Sequence, residues 1–360
     1  MAAKGIIVGA GRAGTHLHYG AHLAAGNEIV AYVDQQLPLA EEAATRFGVP
    51  AAYPSLTEAL AKHPNVNFVD ICTIASTHLP LAKEGLAAGC HVLVEKPLTE
   101  TAAELEELRE VVAQADRTVC AVHNHKYYPA MSKLLAMARG GELGRITSIH
   151  KEFMFAHERI RMMEEGHWAH NLPGGRLFEA NPHNLYLLHA LVGELELVEI
   201  HPRKGSERFP HAAIDQFVAV LRNDQATVTI RMSMDADTAV YGKHGTNTFM
   251  VCGTDRTVLA DYGRVEQWAP AVRLLDRVKS KLLQREAAVS PPALTDRRGE
   301  RINVGVGSGH YWLMQEFADF LGGKRPEPPV TIEEAYFTQQ MNLEMGLAVD
   351  RLMAGSKGAV

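Results

Sequence analysis

The sequence predicts an α/β protein in which an N-terminal doubly wound parallel sheet precedes an α+β domain built on a large, mostly antiparallel open sheet. The chain has 360 residues, more than the roughly 100–200 of one typical domain. Short apolar runs alternate with amphipathic stretches up to about residue 122, whereas longer strand-like runs follow Pro129. We therefore expect a first domain over 1–125 and a second over 126–360, with the C-terminal helices packing back on the first.

Five buried strands are expected in the first domain, because each candidate is a short run that is apolar on both faces. The runs read GIIVGA, EIVAYVD, NFVDICTIA, CHVLVE and TVCAV. Parallel neighbours need crossover connections, and helix-like segments near 38–47, 55–61, 78–88 and 99–115 provide them. The last segment begins with a Thr-x-x-Glu pattern that is typical of a helix N-terminus.

Longer strand candidates characterise the second domain. They read RITSIHKEFMFA, ELELVEIHP, AIDQFVAVL, QATVTIRMSM, TNTFMVCG and TVLADYG, and a last strand is expected to end near Trp268. The short turns between them and their one polar face predict a sheet that is largely antiparallel and solvated on one side.

Three amphipathic stretches follow the predicted sheet. The first, AVRLLDRVKSKLLQREA, is basic, and a membrane-surface helix is one interpretation. We favour a solvated helix that packs on its own sheet or on a partner subunit, because the rest of the chain has no membrane bias. The other two, at 309–322 and 332–354, are expected to return to the first domain.

The composition points to a small-molecule partner rather than nucleic acid or a membrane. A net charge of −6, from 36 basic and 42 acidic residues, gives no electrostatic reason to bind either polyanion. The chain lacks a leader-like N-terminus and any run near the roughly 18 apolar residues that span a bilayer. Its four cysteines are widely spaced and fit neither a metal site nor a disulfide framework. We expect a cytoplasmic protein.

A glycine turn between the first strand candidate and a helix candidate predicts a nicotinamide dinucleotide. Gly9, Gly11 and Gly14 form G-x-G-x-x-G, in which one glycine makes the turn, one admits the pyrophosphate and one lets helix and strand pack closely. Asp34 follows the turn by roughly 20 positions in the sequence, the spacing at which an acidic residue contacts the ribose of the dinucleotide. A carboxylate there favours NAD over NADP, because it would repel a 2′-phosphate, and two glutamines follow it instead of an arginine.

A lysine at the end of the fourth strand candidate is the first candidate for chemistry. Glu95, Lys96 and Pro97 end that strand, and ligands of doubly wound folds bind beyond the carboxyl ends of the strands. This placement predicts Lys96 at the nicotinamide end of the cofactor.

The second candidate is Glu179 followed four residues later by His183. Asn181 and Pro182 resemble a helix N-cap and a first-turn proline, so His183 is expected to open a helix. Its core residues would be Leu185, Leu188 and Val192. A histidine that a carboxylate orients can act as a base. A polar helix start with a structurally satisfied histidine is the alternative.

These pieces together resemble the glucose–fructose oxidoreductase and inositol dehydrogenase family (Gfo/Idh/MocA). The resemblance covers nearly the whole chain, through the glycine turn, HLPLAKEGLAAGCHVLVEKPL, HNHKYYPA and GGRLFEANPH. It implies a Rossmann domain plus an open substrate sheet used for dimers or tetramers. It also implies oxidation or reduction of a sugar or cyclitol carbon.

Carried over by position, the resemblance implies that Lys96 contacts the reacting hydroxyl and His183 removes its proton, with Glu179 where many members have aspartate. The expected cofactor contacts are Gly9, Gly11, Arg12, Ala13, Gly14, Asp34, Thr73, His78, Glu95, Lys96 and Asn124. The expected substrate contacts are Lys96, His123, Lys126, Arg159, Trp168, His170, His183 and Tyr186. The chain has Tyr186 where many sugar dehydrogenases carry a substrate-binding aspartate, so substrate identity does not carry over.

A histidine-rich region admits a metal interpretation. His167, His170, Glu179, His183 and His189 are ligand types that suit zinc, but they match no compact zinc signature. We expect no metal, and interpret these side chains as substrate hydrogen bonding and loop structure. The loop 157–175, which holds Arg159 and Trp168, is expected to close over an acidic or polyhydroxylated ligand.

Three functions remain compatible with the sequence. The first is an NAD-dependent dehydrogenase that acts on a secondary alcohol of a sugar, cyclitol or related compound. The second is a redox-neutral enzyme in which tightly bound NAD oxidises a carbon transiently and permits elimination or epimerisation. The third is a non-catalytic dinucleotide sensor, against which the presence of both Lys96 and His183 argues.

Overall fold

The computed structural model describes the protein at residues 2–154, 164–235, 246–261, 265–268, 294–305 and 309–357. The chain forms two compact units. The first comprises Met1–Tyr127 with Ala288–Gln339, and the second comprises Tyr128–Ala287 with Gln340–Val360. Among the described residues, each unit contains one sheet.

The first unit contains a six-stranded parallel sheet. Its strands are β1 Lys4–Val8, β2 Glu28–Val33, β3 Ala51–Tyr53, β4 Phe68–Ile71, β5 His91–Val94 and β6 Val119–Ala121. They are arranged in the order β3-β2-β1-β4-β5-β6, so the direction of winding reverses between β1 and β4. This confirms the doubly wound parallel sheet. The three-residue edge strand β3 was not predicted, because its sequence AAY is too short to show a pattern.

The α-helices lie between the strands and after them. In chain order they are α1 Tyr19–Ala24, α2 Leu37–Phe47, α3 Leu56–Lys62, α4 His78–Ala87, α5 Ala102–Gln114, α6 Pro129–Arg139, α7 Leu177–Ala180, α8 Pro182–Val192, α9 His310–Leu321 and α10 Ile332–Lys357. Thr101 and Glu104 form the capping box of α5, as the sequence predicts. Helix α6 was missed, because its opening proline resembles a break although a first-turn proline suits a helix.

The second unit contains a seven-stranded sheet. Its strands are β7 Ile146–Met154, β8 Glu196–Arg203, β9 Gln216–Arg222, β10 Thr227–Ser233, β11 Thr246–Gly253, β12 Thr257–Ala260 and β13 Val265–Trp268. The order is β13-β12-β11-β7-β10-β9-β8, and only the β7–β10 pair is parallel. The mostly antiparallel sheet is therefore confirmed.

Chain segments far apart in sequence complete the first unit. Residues 294–305 pack on α2 through Arg46, whose Nε and Nη2 atoms each lie 2.8 Å from a carboxylate oxygen, of Asp296 and Glu300 respectively. Helix α9 packs on the sheet through Phe317, which meets the ring of Phe68 edge-on at 5.6 Å. The predicted amphipathic stretch 271–287 lies outside the described residues. Among the helices that are described, we find none with the length and hydropathy needed to cross a bilayer.

Replacement of Phe317 by alanine should destabilise the first unit. The side chain is fully buried, so Phe317→Ala should lower the free energy of unfolding by about 3–5 kcal/mol. The control is Leu347→Ala on α10, where the side chain is 43% exposed and the expected change is within about 0.5 kcal/mol. Urea denaturation followed by circular dichroism measures both, and equal midpoints would contradict the packing role of Phe317.

Candidate functional site

The glycine turn after β1 has the geometry of a dinucleotide cradle. Gly9 has a φ of +101°, and a Cβ atom there would lie 2.8 Å from the Cys72 carbonyl oxygen. A Cβ atom on Gly14 would collide with the Gly9 carbonyl, so this glycine permits close packing within the turn. A Cβ atom on Gly11 would meet nothing within 4 Å, which leaves that side of the turn open to a pyrophosphate.

Asp34 follows β2 and is tied to this turn. Its Oδ2 accepts a hydrogen bond from the Ala10 N–H at 2.9 Å, and its Oδ1 accepts one from the Gln36 N–H at 2.9 Å. A carboxylate has about four acceptor positions, so two remain for a ribose hydroxyl. Arg12 is exposed in the turn, and Ala13 begins the next helical segment. These residues fit a dinucleotide.

The helix after the turn begins with a π-helical segment, Ala13–His18, before α1 starts. The sequence predicts an ordinary helix here. A π-helical turn contains an extra residue, and such bulges occur frequently at functional sites. Its last residue, His18, is completely buried.

His18 lies in a buried cluster of titratable side chains. Its Nδ1 atom is 2.9 Å from Asp70 Oδ2, and its Nε2 atom is 3.0 Å from Glu95 Oε1. Asp70 Oδ2 also accepts from His22 Nε2 at 3.0 Å. Burial alone would lower the pKa of His18, but the nearby Asp70 carboxylate outweighs it, and the pKa lies well above the usual value. Burial alone would raise the pKa of the Asp70 carboxyl, but the neighbouring His18 and His22 outweigh burial and bring this pKa well below its usual range.

The cluster reaches Lys96 through Glu95. Glu95 Oε2 accepts a hydrogen bond from the Lys96 N–H at 2.9 Å. The Lys96–Pro97 peptide is cis, and Lys96 is partly exposed just beyond the carboxyl end of β5. One carboxylate thus joins a buried histidine to the backbone of the predicted substrate-contacting lysine.

His78 supports the same loop from the other side. Its Nδ1 atom lies 3.0 Å from the Pro97 carbonyl oxygen, and its Nε2 atom lies 3.2 Å from the Thr73 carbonyl oxygen. Burial lowers the pKa of this imidazole, so it is neutral. The structure therefore places Thr73 and His78, two expected cofactor contacts, beside the Lys96 loop, with the His78 ring bonded to backbone.

Two predicted substrate contacts share a carboxylate that the sequence did not reveal. His123 Nδ1 lies 3.0 Å from Glu334 Oε1, and Lys126 Nζ lies 2.8 Å from both Glu334 oxygens. Burial raises the pKa of Glu334, but His123 and Lys126 lower it to about 2. Asn124, an expected cofactor contact, is buried in the short helical turn Asn124–Tyr127 between them.

The second unit carries Glu179 and His183 on two consecutive helices. Glu179 Oε2 accepts from Arg176 Nη1 at 3.0 Å, and both side chains are buried. Asn181 immediately precedes α8 and Pro182 opens it, as the sequence predicts, but Asn181 makes no side-chain capping bond: its backbone is helical, because α7 continues directly into α8. The Asn181 side chain instead donates to Asn342 Oδ1 at 3.1 Å.

His183 has an unexpected partner on its own helix. Its Nδ1 atom lies 2.8 Å from Tyr186 Oη, and Tyr186 is completely buried. The predicted core residues of this helix are buried as expected: Leu185, Leu188 and Val192. Trp168 and His170 lie in the short helical turn Trp168–Asn171. Arg159 lies outside the described residues.

Within the described ranges, two side-chain groups have a spacing that suits a metal ion. They are His18 with Asp70 and Cys72, and His18 with Glu95 and His310. Neither includes the histidines that the sequence singles out after residue 157. The short distances from His18 to two carboxylates are those of hydrogen bonds, and burial raises the pKa of the Cys72 thiol to about 12.

Comparison with known proteins extends this picture. A 200-residue region is 32% identical to the mouse trans-1,2-dihydrobenzene-1,2-diol dehydrogenase, and covers 54% of this chain and 56% of that protein. A 211-residue region is 29% identical to an uncharacterized oxidoreductase of Escherichia coli, and covers 55% and 58%. The matches thus span little more than half of these relatives.

A solved structure shows the same fold over nearly the whole chain. It is the WlbA dehydrogenase from Bordetella pertussis in complex with NADH and UDP-GlcNAcA. The TM-score is 0.76 at 21% identity, and the alignment covers 99% of this chain and 96% of that one. At this identity the likeness concerns the fold alone.

Two family models together match most of the chain. Residues 4–123 match the oxidoreductase family with an NAD-binding Rossmann fold, and residues 131–259 match the GFO/IDH/MocA C-terminal domain. With the glycine turn, the parallel sheet and the mostly antiparallel sheet already described, these matches show that the chain belongs to the Gfo/Idh/MocA oxidoreductase family.

Proposed function

We propose that this protein is an NAD-dependent dehydrogenase that oxidises a secondary alcohol of a sugar, cyclitol or related hydroxylated compound. The observation that carries the proposal is His183, whose Nδ1 atom is held by Tyr186 at the start of α8. The chain combines this oriented imidazole with a dinucleotide cradle and with Lys96 beyond β5. Family membership supports the same assignment.

Each of the two side chains has a distinct chemical role in this proposal. His183 accepts the hydroxyl proton at Nε2, the ring nitrogen opposite the one that contacts Tyr186. The Lys96 ammonium group stabilises the negative charge that develops on the substrate oxygen. NAD bound at the glycine turn supplies the hydride acceptor. Glu179, which accepts from Arg176, supports the helix start that carries His183.

The substrate class is inferred from the relatives. The name of the mouse relative specifies a ring diol, and the WlbA structure contains a sugar nucleotide. Ring hydroxyls are common to both. Of the expected substrate contacts, His123 and Lys126 lie in the first unit and form ion pairs with Glu334. Trp168 and His170 lie in the second unit. We assign these donors to substrate hydroxyls and Trp168 to the apolar face of the ring.

Purified protein should reduce NAD when a suitable polyol or sugar is added. NADP should serve less well, because Asp34 would repel the 2′-phosphate. Lys96→Ala and His183→Ala should each lower kcat by about 10² to 10⁴ while the NAD Kd changes little. NADH absorbance and calorimetric titration of NAD measure these two quantities, and Leu39→Ala, at a 40% exposed position of α2, serves as the control.

Three outcomes would contradict this assignment. Normal turnover in either variant would remove that residue from the mechanism. Product formation without net NADH, with NAD retained through purification, would favour the redox-neutral enzyme. NAD binding without turnover across both cofactors and a wide substrate panel would favour the sensor.

Tyr186 should set the pH dependence of the reaction. The phenol orients His183 but carries no negative charge, whereas an aspartate would stabilise the imidazolium and raise the pH at which the base becomes active. We expect Tyr186→Phe to lower kcat/KM about tenfold or more, because the ring loses its oriented partner. We expect Tyr186→Asp to move the acid limb of the kcat/KM profile to higher pH by about one unit.

The pH profile between pH 5 and 9 tests this role of Tyr186. Tyr311→Phe removes a phenol oxygen elsewhere and should leave the profile unchanged. Circular dichroism confirms that each variant is folded. An acid limb at the same pH in wild type and Tyr186→Asp would show that Tyr186 does not face the base.

We also propose that the exposed face of the second sheet binds another copy of the chain. Val218 is 42% and Met250 is 37% exposed. Both side chains lie on one face of the sheet. Met250 pairs with His150, His150 with Thr229, and Thr229 with Val220, and Val218 is two residues from Val220 on the same strand and so shares its face. Light scattering coupled to gel filtration should give a dimer or tetramer. Val218→Lys should shift the mass toward the monomer, Leu39→Lys should not, and a monomeric wild type would contradict the proposal.

A further inference from the structure

We infer that His18 is a positioning residue that carries both ring protons at neutral pH, and whose imidazolium bridges Asp70 and Glu95 and thereby fixes the backbone of Lys96. The cluster lies inside the first unit and adjoins Lys96 through Glu95. The inference rests on the proposed function only in that it gives Lys96 a part in turnover.

The charge of His18 follows from its two neighbours. A neutral imidazole has one N–H donor and one acceptor nitrogen, whereas an ionised carboxylate only accepts. Nδ1 of His18 faces Asp70 at 2.9 Å and Nε2 faces Glu95 at 3.0 Å. We therefore assign a proton to both nitrogens, because the negative charges of the two carboxylates favour the imidazolium in a way that neutral acceptors would not. A neutral ring would point a lone pair at one of the two carboxylates.

The surroundings of Asp70 support its ionised form. His22 Nδ1 lies 3.0 Å from the Asn27 amide nitrogen, which can only donate, so the His22 proton is on Nε2 and points at Asp70. Asp70 therefore receives donors from two histidines, and a buried carboxylate with several donors stays ionised.

The remaining groups around His18 add no second positive charge. In the part of the chain that the structure describes, they are Asp70 from β4, Cys72 just after it, Glu95 after β5, His22 from α1, and His310 from α9. Burial lowers the pKa of His310, whose Nε2 atom is 3.8 Å from Glu95 Oε1, so this ring is neutral. One imidazolium thus faces two carboxylates.

The bridge reaches Lys96 because Glu95 uses both of its oxygens. Oε1 faces His18, and Oε2 accepts from the Lys96 N–H at 2.9 Å. With Oε1 anchored, the Glu95 side chain cannot rotate without breaking the contact to Lys96. The same His18 closes the π-helical segment that begins at the glycine turn. One side chain thus positions both the cofactor cradle and the lysine loop.

The bridge contributes stability over a defined pH window. Asp70 and Glu95 have lowered pKa values, so their contribution is present above about pH 4 and is lost as the pH falls. His18 has a raised pKa, so its contribution is complete below about pH 6.5 and is lost as the pH rises through the folded-state value.

The protonation state can be tested in the full-length protein by NMR of ¹⁵N-labelled histidine side chains, with the His18 signals identified from His18→Gln. Both ring nitrogens of His18 should carry protons from pH 6 to 8. His78 is the control: it also contacts oxygen acceptors at both nitrogens, but these are uncharged backbone carbonyls, so only one of its ring nitrogens should carry a proton at pH 7. A neutral His18 at pH 7, or loss of one of its protons on addition of zinc, would overturn the inference.

Kinetics tests the positioning role. His18→Gln should lower kcat about 10- to 100-fold, because small displacements of a positioned group are costly, while the NAD Kd changes less than about threefold. His22→Gln is the matched control: it loses a hydrogen bond to Asp70 but none to Glu95, and should lower kcat less than about threefold. Equal effects of the two variants on kcat would overturn the positioning role.

Chemical labelling of Lys96 gives a readout independent of turnover. The pH dependence of its modification by trinitrobenzenesulfonate, followed by peptide mass spectrometry, should change in His18→Gln but not in His22→Gln. If His18→Gln does not fold, Glu95→Gln keeps the shape, and in that variant His18 should lose one proton at pH 7. Turnover absent from every assay, with a protonated His18, would sink the proposed function alone. Turnover present with kcat unchanged in His18→Gln would sink the inference alone.

Discussion

Two ionised carboxylates at the carboxyl end of a parallel sheet, one buried and one mostly buried, require a positive charge between them, and in this protein that charge is His18. Asp70 interrupts an otherwise apolar strand and is completely buried, and the Glu95 side chain, just after the next strand, is only 12% exposed, so water compensates neither charge fully. A buried ion pair of this kind adds little net stability, but removal of one member is expensive. The arrangement therefore specifies geometry: it fixes where the glycine-turn helix and the Lys96 loop lie in the sheet.

The long C-terminal helix α10 contributes buried side-chain amides that bond to backbone groups in each unit. In the first unit, Gln339 accepts from the Leu98 N–H at 3.2 Å and donates to the Thr99 carbonyl at 2.6 Å, just beyond Lys96. In the second unit, Asn342 donates to the Phe178 carbonyl at 3.0 Å, beside Glu179. Both amides are buried and satisfy backbone groups that would otherwise be costly to bury. Within each unit, an amide of α10 thus satisfies the backbone next to a candidate residue.

The sequence predicts most strands and helices, because the spacing of apolar residues along the chain indicates them. Strand β4 was found from its apolar run, and α5 from the cap at Thr101, since both signals are local. The edge strand Ala51–Tyr53 carries no such signal. Asn181 stands at the predicted position before α8 but makes no capping bond, because its own backbone is helical, and its amide nitrogen donates to Asn342, which lies 161 residues away.

Sequence reasoning proposes residues of the candidate site only where a motif identifies them. Lys96 and His183 belong to motifs, whereas Glu334 approaches His123 from a remote helix and leaves no trace near it in the sequence. Asp70 did leave a signal, since a charged residue within a buried strand needs a partner. The sequence does not identify His18 as the partner of Asp70, because in a regular helix the His18 side chain would not face the sheet. The π-helical segment turns it inward.

That segment has a consequence for sequence alignment. Each residue of a regular helix turns the chain by about 100°, so a helix without the extra residue would direct a different position toward Asp70. A relative with a regular helix here must carry its inward-facing side chain one position earlier, and a gap-free alignment would pair that residue with Leu17. Equivalent residues of this helix in two relatives are therefore those whose side chains point in the same direction, and these can stand in different columns of a sequence alignment.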